Sequence, residues 1–273
     1  MIGFIGAGNM GQAMIGGILK SGLANTSQII ASAHSAATLE KLRTTFSIET
    51  TLSNEIVAQR SELLFLAVKP NKFGEILPQI APVVKPSCVI VSIAAGITVA
   101  SIENAFDRPV KVVRAMPNTP ALIGEGMSAL CANDLVTAEE LTEVKSFFDS
   151  FGKSEIVPES LMDAVVGVSG SSPAYVYLFI EAMADAAVAD GMPRSQAYKF
   201  AAQSVLGASK MVLETGRHPG ELKDAVCSPG GTTIEAVQAL EAGGFRNTVI
   251  TAQRTCSKKS HDMSKEAYEY VGL

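Results

Sequence analysis

The strongest constraint on this chain lies in its first eleven residues, Met1-Ile2-Gly3-Phe4-Ile5-Gly6-Ala7-Gly8-Asn9-Met10-Gly11. Residues 2–5 form a short apolar run of strand type. The run stops in a complete G-x-G-x-x-G, and an alanine- and glycine-rich apolar segment over 10–19 reads as a helix. Strand, tight turn and helix in that order are the context a dinucleotide fingerprint needs. Gly6 allows the turn, Gly8 lets the backbone approach a pyrophosphate, and Gly11 lets the helix lie close on the strand. The free N–H groups and the dipole at the start of that helix would face the phosphates. The alternative is a purely structural glycine turn.

The same alternation continues down the chain. Strands are expected at 28–31, 63–68, 88–93 and 110–114, with helices at 36–46, 53–59, 73–80 and 99–106. Ser53 or Asn54 can cap the helix at 53–59. Residues 126–131, a helix at 138–151 and a strand at 154–157 close this half. The pattern predicts an α/β domain of Rossmann type over 1–160, with a doubly wound parallel sheet. Near residue 160 strand-like runs give way to long helices, so an all-α domain is expected over 161–273. Ser172 reads as a helix cap with Pro173 at the first helical position. That helix runs to Gly191, and others are expected at 195–215, 222–226, 233–240 and 245–265. Alanine-rich helices bury little surface each, so association with a second subunit would complete their core.

Several positions carry candidate chemistry. The second strand is followed by Ser32-Ala33-His34-Ser35 rather than by the carboxylate that holds a ribose 2′-hydroxyl. Ser32, His34 and Ser35 can donate to a 2′-phosphate with no negative charge to repel it, so NADP(H) is expected to be preferred, with NAD(H) possible. A plain polar turn is the alternative. Val68 and Lys69 end a buried strand where ligands sit in such sheets; Lys69 reads equally as a solvated surface lysine. Ala94-Ala95-Gly96 is small enough for a flat ring to approach. Asn118, between two prolines, is placed either to touch nicotinamide or substrate or to stabilise its own turn. Cys227-Ser228-Pro229-Gly230-Gly231-Thr232-Thr233 precedes a helix and could bind an anion through backbone N–H groups and hydroxyls. Thr232 and Glu235 also have the spacing of a capping box, and the two readings are compatible.

Composition narrows the classes. The net charge of −5 and the lack of a basic patch argue against nucleic acid. Cys88, Cys131, Cys227 and Cys256 are scattered, which fits a reducing compartment and no metal site. A strand at Ile2 leaves no room for a signal peptide, and no apolar run has the ~18 residues of a membrane span. The expectation is a cytoplasmic protein with no membrane association.

At this point the chain resembles the pyrroline-5-carboxylate reductase family along nearly its whole length. The resemblance rests on Gly6 to Gly11, Ala67-Val68-Lys69-Pro70, Ala94-Ala95-Gly96, Met116-Pro117-Asn118-Thr119-Pro120 and Ser169-Gly170-Ser171-Ser172-Pro173-Ala174-Tyr175. It rests above all on Leu222-Lys223-Asp224 through Ser228-Pro229-Gly230-Gly231-Thr232-Thr233, continuing to Gly243-Gly244-Phe245-Arg246. The resemblance implies reduction of 1-pyrroline-5-carboxylate to L-proline by NAD(P)H, the last step of proline synthesis. It implies an N-terminal Rossmann domain and a C-terminal helical dimerisation domain, with homodimers in larger rings such as a decamer.

Carried over by position, Gly6, Ala7, Gly8, Asn9, Met10, Gly11, Ala67, Val68, Lys69, Pro70, Ala94, Ala95 and Gly96 would hold the dinucleotide. Asn54 would contact its adenosine side. Ser228, Gly231, Thr232 and Thr233 would bind the substrate, with the Thr233 hydroxyl facing the ring nitrogen as the one catalytic candidate. Glu159 would edge the substrate pocket, and Asn118 is carried as a substrate contact. Ala33, Ser35 and Ala225 depart from some relatives near the cofactor. Two other readings compete. A β-hydroxyacid dehydrogenase shares the opening motif but needs a lysine on a glycine-rich helix, which the helical half lacks. A non-catalytic NADP sensor would have no reason to keep the Ser228–Thr233 turn.

Overall fold

The computed structural model describes residues 1–270. The chain divides into two compact units, Met1–Ser171 with the segment from Thr255 onward, and Ser172–Arg254.

The first unit begins with β1 (Ile2–Ile5) and α1 (Asn9–Ser21), then β2 (Ile29–Ser32), α2 (Ala36–Phe46), β3 (Glu49–Thr51) and α3 (Asn54–Arg60). It continues with β4 (Leu63–Leu66), α4 (Phe73–Ile80), β5 (Val89–Ser92), α5 (Val99–Glu103) and β6 (Lys111–Met116). β7 (Gly126–Ala132), α6 (Ala138–Asp149), β8 (Gly152–Ile156) and the short α7 (Met162–Val165) follow.

One sheet of eight strands has the order β3-β2-β1-β4-β5-β6-β7-β8. The strands from β3 to β6 pair in parallel, β7 runs antiparallel to β6, and β8 is parallel to β7. β1, β2, β4 and β5 are buried at every position, as strands covered on both faces must be. Alternate residues serve opposite cores. Phe4, Phe65, Val91 and Val113 pack on one face with Met14, Ile15, Phe148 and Phe151. Ile5, Leu64, Ile90 and Val112 pack on the other with Val57, Phe73 and Leu77. The rings of Phe4 and Phe65 stack with centroids 4.7 Å apart, and Phe148 tilts onto Phe65 at 6.1 Å. The α/β fold expected from the strand–helix alternation is thus present, with β3 an addition: three residues, none buried, at the sheet edge.

The second unit consists of α8 (Ser172–Ala189), α9 (Arg194–Thr215), α10 (Pro219–Ala225), α11 (Thr232–Ala242) and the start of α12 (Phe245–Tyr270). α8 and α9 meet through small residues, with Ala184, Ala197 and Ala201 buried. Large apolar side chains stay exposed within the unit, among them Leu178, Phe200, Leu213 and Val226.

Two local expectations are corrected. Ser172 is not a cap: a π-helical turn over Val166–Gly170 precedes it, and Ser172 is already helical. Thr232 and Glu235 form no capping box; Gly231 is the N-cap of α11, and no side chain caps it. The compact units part at Ser171/Ser172, and residues from Thr255 belong with the first unit. The reason is packing between distant residues: Met162 is buried in the second core, and Ser260 Oγ donates to Asp163 Oδ1 at 2.6 Å. His261 Nδ1 lies 3.3 Å from Asp163 Oδ2, and the Cys256 thiol donates to Ser171 Oγ at 3.2 Å.

Candidate active site

The strand order reverses between β1 and β4, so the turns leaving these two strands open a crevice at their carboxyl ends, where ligands bind in such sheets. The glycine turn occupies it. Gly6 has φ +92°, and a Cβ there would lie 2.6 Å from the Ala67 carbonyl oxygen. A Cβ on Gly11 would lie 2.8 Å from the Gly6 carbonyl oxygen. Gly8 is different: a Cβ there meets nothing within 4 Å. Gly6 and Gly11 are small because protein presses on them, and Gly8 faces open space in front of the helix. Gly8 is also the N-cap of α1, in extended conformation with no side-chain cap and no acidic residue in the first turn. The first N–H groups of α1 therefore point into a cradle that a side chain at Gly8 would fill, which fits a pyrophosphate. Gln12, which the motif does not mark, pins the turn by donating to the Ala7 carbonyl at 2.7 Å.

Around this turn, Ser32 is buried and its hydroxyl donates to Asn54 Oδ1 at 2.8 Å, while Asn54 Nδ2 donates to Gln79 Oε1 at 3.2 Å. Ser32 thus orients Asn54 rather than reaching into solvent. Gln79 completes the chain from a helix 25 residues away, with no local signal to mark it. Ser35 Oγ accepts from Thr38 N as the cap of α2, and His34 is exposed beside it. Ala67, Val68 and Pro70 are half-buried, Asn9 and Lys69 exposed. Met10 packs against the first core from a half-buried position.

Past β5, Ala94 and Gly96 are buried and Ala95 is half-buried. Gly96 has φ +79° and lies against Met263. Glu159 Oε1 accepts from Val99 N, the first N–H of α5, and from Arg114 Nη1, both at 2.9 Å. Asn118 is buried with both ends of its amide engaged: Oδ1 accepts from Met127 N at 2.9 Å and Nδ2 donates to the Ser169 carbonyl at 3.0 Å. Opposite Arg114 in the β6–β7 register, burial pushes the Cys131 thiol up to about 11.

In the second unit, Gly231 N donates to the Ser228 carbonyl at 3.0 Å and Gly230 takes φ +67°, closing a tight turn before α11. The side chains of Ser228, Thr232 and Thr233 make no hydrogen bond among the described residues. Ser228 and Thr232 are exposed and Thr233 half-buried. An eleven-residue helix with an uncapped N-terminus and three idle hydroxyls has the donor set of a carboxylate site.

The glycine cradle at the sheet's switch point, joined in one chain to a helical unit, defines a protein built on a dinucleotide-binding fold. Comparison with known proteins narrows this class. A family model for pyrroline-5-carboxylate reductase dimerisation matches residues 159–263, and one for coenzyme F420-dependent NADP oxidoreductase matches residues 1–96. The pyrroline-5-carboxylate reductase of Escherichia coli K12 is 52% identical over 264 residues, covering 97% of this chain and 98% of that protein. Among solved structures, the Plasmodium falciparum pyrroline carboxylate reductase with NADP bound matches with a TM-score of 0.87 at 32% identity, covering 96% of this chain and 97% of that one. The Coxiella burnetii pyrroline-5-carboxylate reductase matches with a TM-score of 0.90 at 31% identity over the same shares. The chain belongs to the pyrroline-5-carboxylate reductase family.

Proposed function

We propose that this protein reduces 1-pyrroline-5-carboxylate to L-proline with NADPH, the last step of proline biosynthesis. The observation that carries the reading is the full-length match to the E. coli enzyme of that name. The open cradle at Gly8 and the uncapped α11 turn support it independently.

When bound, the dinucleotide supplies the hydride that reduces the C=N bond. Gly6 to Gly11 hold the pyrophosphate through backbone N–H groups, and Asn54, held by Ser32 and Gln79, sits on the adenosine side. Ser35 and His34 face a 2′-phosphate that no carboxylate repels, which favours NADPH. Ala94, Ala95 and Gly96 present a surface without bulky side chains to the nicotinamide. Ser228, Gly231, Thr232 and the α11 N-terminus hold the substrate carboxylate. The Thr233 hydroxyl faces the ring nitrogen, where its ordinary acidity suits positioning better than proton donation. An imine that arrives protonated needs no acid from the protein, so most of the rate comes from holding two molecules in register. Asn118 and Glu159 spend their polar groups inside the first unit, and we assign them to the framework rather than to the substrate.

Within the described residues no helix is long and apolar enough to cross a membrane. The exposed apolar residues of the second unit and its match to a dimerisation family support a homo-oligomer, which we take to be a cytoplasmic dimer able to build a larger ring. The test is loss of NADPH absorbance with 1-pyrroline-5-carboxylate, run beside NADP⁺ reduction with a 3-hydroxy acid. Oxidation with the imine alone is expected. Activity on the hydroxy acid alone, or tight NADPH binding with no turnover, would overturn the assignment in favour of a dehydrogenase or a sensor.

A further inference from the structure

We propose that Arg114 is a positioning residue: through Glu159 it fixes the start of α5 and so sets where the Ala94–Gly96 segment meets the nicotinamide. The inference rests on the function proposed above for the role of that segment, but the clamp itself is a property of the first unit alone.

Arg114 is 5% exposed, at the carboxyl end of β6, opposite Ser92 of β5 in the sheet register. A buried guanidinium is costly unless it is paired. Its ion-pair partner is Glu159, whose side chain is 37% exposed. The Glu159 oxygen that takes the guanidinium also accepts from Val99 N. One carboxylate oxygen therefore joins the end of a central strand, the turn at 159 and the first N–H of a helix, where negative charge is favoured.

Between β5 and α5, Ala94 and Ile97 are buried, Gly96 lies against Met263 and Thr98 caps α5 by accepting from Ser101 N, but residues 94–96 carry no polar side chain to fix their own backbone. Ala94, Ala95 and Gly96 offer almost no side chain for packing, and Gly96 sits at positive φ. Small residues that let a ring approach leave the polar backbone of 94–96 to be fixed from its two ends. Its upstream end is tied by the weak bond from Ala94 N to Ser92 Oγ at 3.4 Å. Its downstream end is tied at Val99 by Glu159. Without Arg114 the half-exposed carboxylate is free to turn to water and release Val99. Hydride transfer is steep in distance: a misplacement of ~1 Å can cost about 100-fold in rate. A loosened clamp should therefore appear in turnover rather than in substrate affinity.

The test compares Glu159→Ala, Glu159→Gln and Arg114→Met in the full chain, with three readouts. These are hydrogen exchange at Val99 without cofactor, NADPH affinity by fluorescence, and steady-state kinetics with NADPH and its 4-deuterated form. In Glu159→Ala and Arg114→Met, Val99 should exchange at least about tenfold faster, and kcat should fall about tenfold or more with KM for the imine within about twofold. The isotope effect should rise as hydride transfer becomes limiting. Glu159→Gln keeps an acceptor for Val99 N and should retain most of the protection and most of kcat. Unchanged exchange and kcat in Glu159→Ala would overturn the proposal. So would a raised KM with kcat intact, which would place Glu159 on the substrate. If Arg114→Met does not fold, Glu159→Ala against Glu159→Gln carries the comparison alone. If the wild-type chain fails to oxidise NADPH with the imine, the functional reading falls. The clamp is then judged by Val99 exchange alone, standing if exchange accelerates and falling if it does not.

Discussion

Gly8→Ala should weaken dinucleotide binding about 100-fold while leaving the fold intact, and Gly6→Ala should damage the fold first. At Gly8 the backbone has φ −68° and ψ −170°, which alanine adopts freely, and the added methyl meets no atom within 4 Å. Restricting the unfolded chain stabilises by about 0.4–1 kcal/mol, and alanine is a poorer N-cap than glycine by a comparable amount. The net change should lie within about 0.5 kcal/mol, a Tm shift of about 2 °C or less. The methyl nevertheless stands where the pyrophosphate must approach the first N–H groups of α1. Losing two charge-assisted hydrogen bonds at about 1.5 kcal/mol each is about 3 kcal/mol, or roughly a 100-fold rise in Kd. At Gly6, positive φ adds about 1–2 kcal/mol of strain. The Cβ would also sit 2.6 Å from the Ala67 carbonyl oxygen, so backbone must shift. Together these should destabilise by about 3 kcal/mol or more. Thermal melts and NADPH fluorescence titrations of both variants, side by side, are the assay. Wild-type affinity in Gly8→Ala, or a Gly8→Ala protein that melts as low as Gly6→Ala, would refute the reasoning.

Thr233→Ala should lower kcat or raise KM at least severalfold, with an unchanged circular dichroism spectrum because no capping bond is lost; kinetics identical to wild type would remove Thr233 from the site. Burial pushes the Cys88 thiol up to about 12 and the Cys131 thiol up to about 11. At pH ~8 both are almost wholly protonated, so a thiol reagent should label neither in the native protein and both after denaturation; rapid native labelling of Cys88 would contradict this. For Glu140, burial raises the carboxyl pKa but the Lys111 ammonium and the Thr137 N–H outweigh it, leaving it below its ordinary 4.5. A carboxylate lowered in this way stabilises above its unfolded pKa and loses that contribution as the pH falls through its folded one. Glu140→Gln should then cost about 0.5–1 kcal/mol near pH 7 in urea melts, closing below pH ~4; a deficit that persists in acid would point to packing instead.

What could be read from the sequence was whatever is decided by neighbours along the chain. The β1 turn is such a case, since Gly6 and Gly11 sit within a few residues of the geometry that requires them. The buried strands announce themselves by apolar runs bounded by glycine, proline or polar residues. β3 does not, because Glu49, Thr50 and Thr51 are polar and edge a sheet by backbone pairing alone. The Thr232–Glu235 pair had the spacing of a cap, but the tight turn at Gly230 and Gly231 starts the helix one residue earlier than that spacing needs. The bond that ties Ser32 to Asn54, 22 residues away, leaves no local signal. Arg114 and Glu159, 45 residues apart, become a unit only when β6 and the turn at 159 are brought together. Long-range polar pairs of this kind leave no periodicity to detect.

The first unit is interrupted by the second: its chain leaves at Ser171 and returns at Thr255. During synthesis the sheet and both its cores can therefore form on the ribosome long before Asp163 meets Ser260. The unit is finished only after the whole helical insertion has been translated. A chain cut just before Thr255 would keep every strand and the entire glycine turn, yet leave Asp163, Ser171 and Gly96 without the surface that covers them. Truncations meant to isolate a dinucleotide-binding fragment should for this reason carry residues 255–270 across a short linker rather than stop at the last strand.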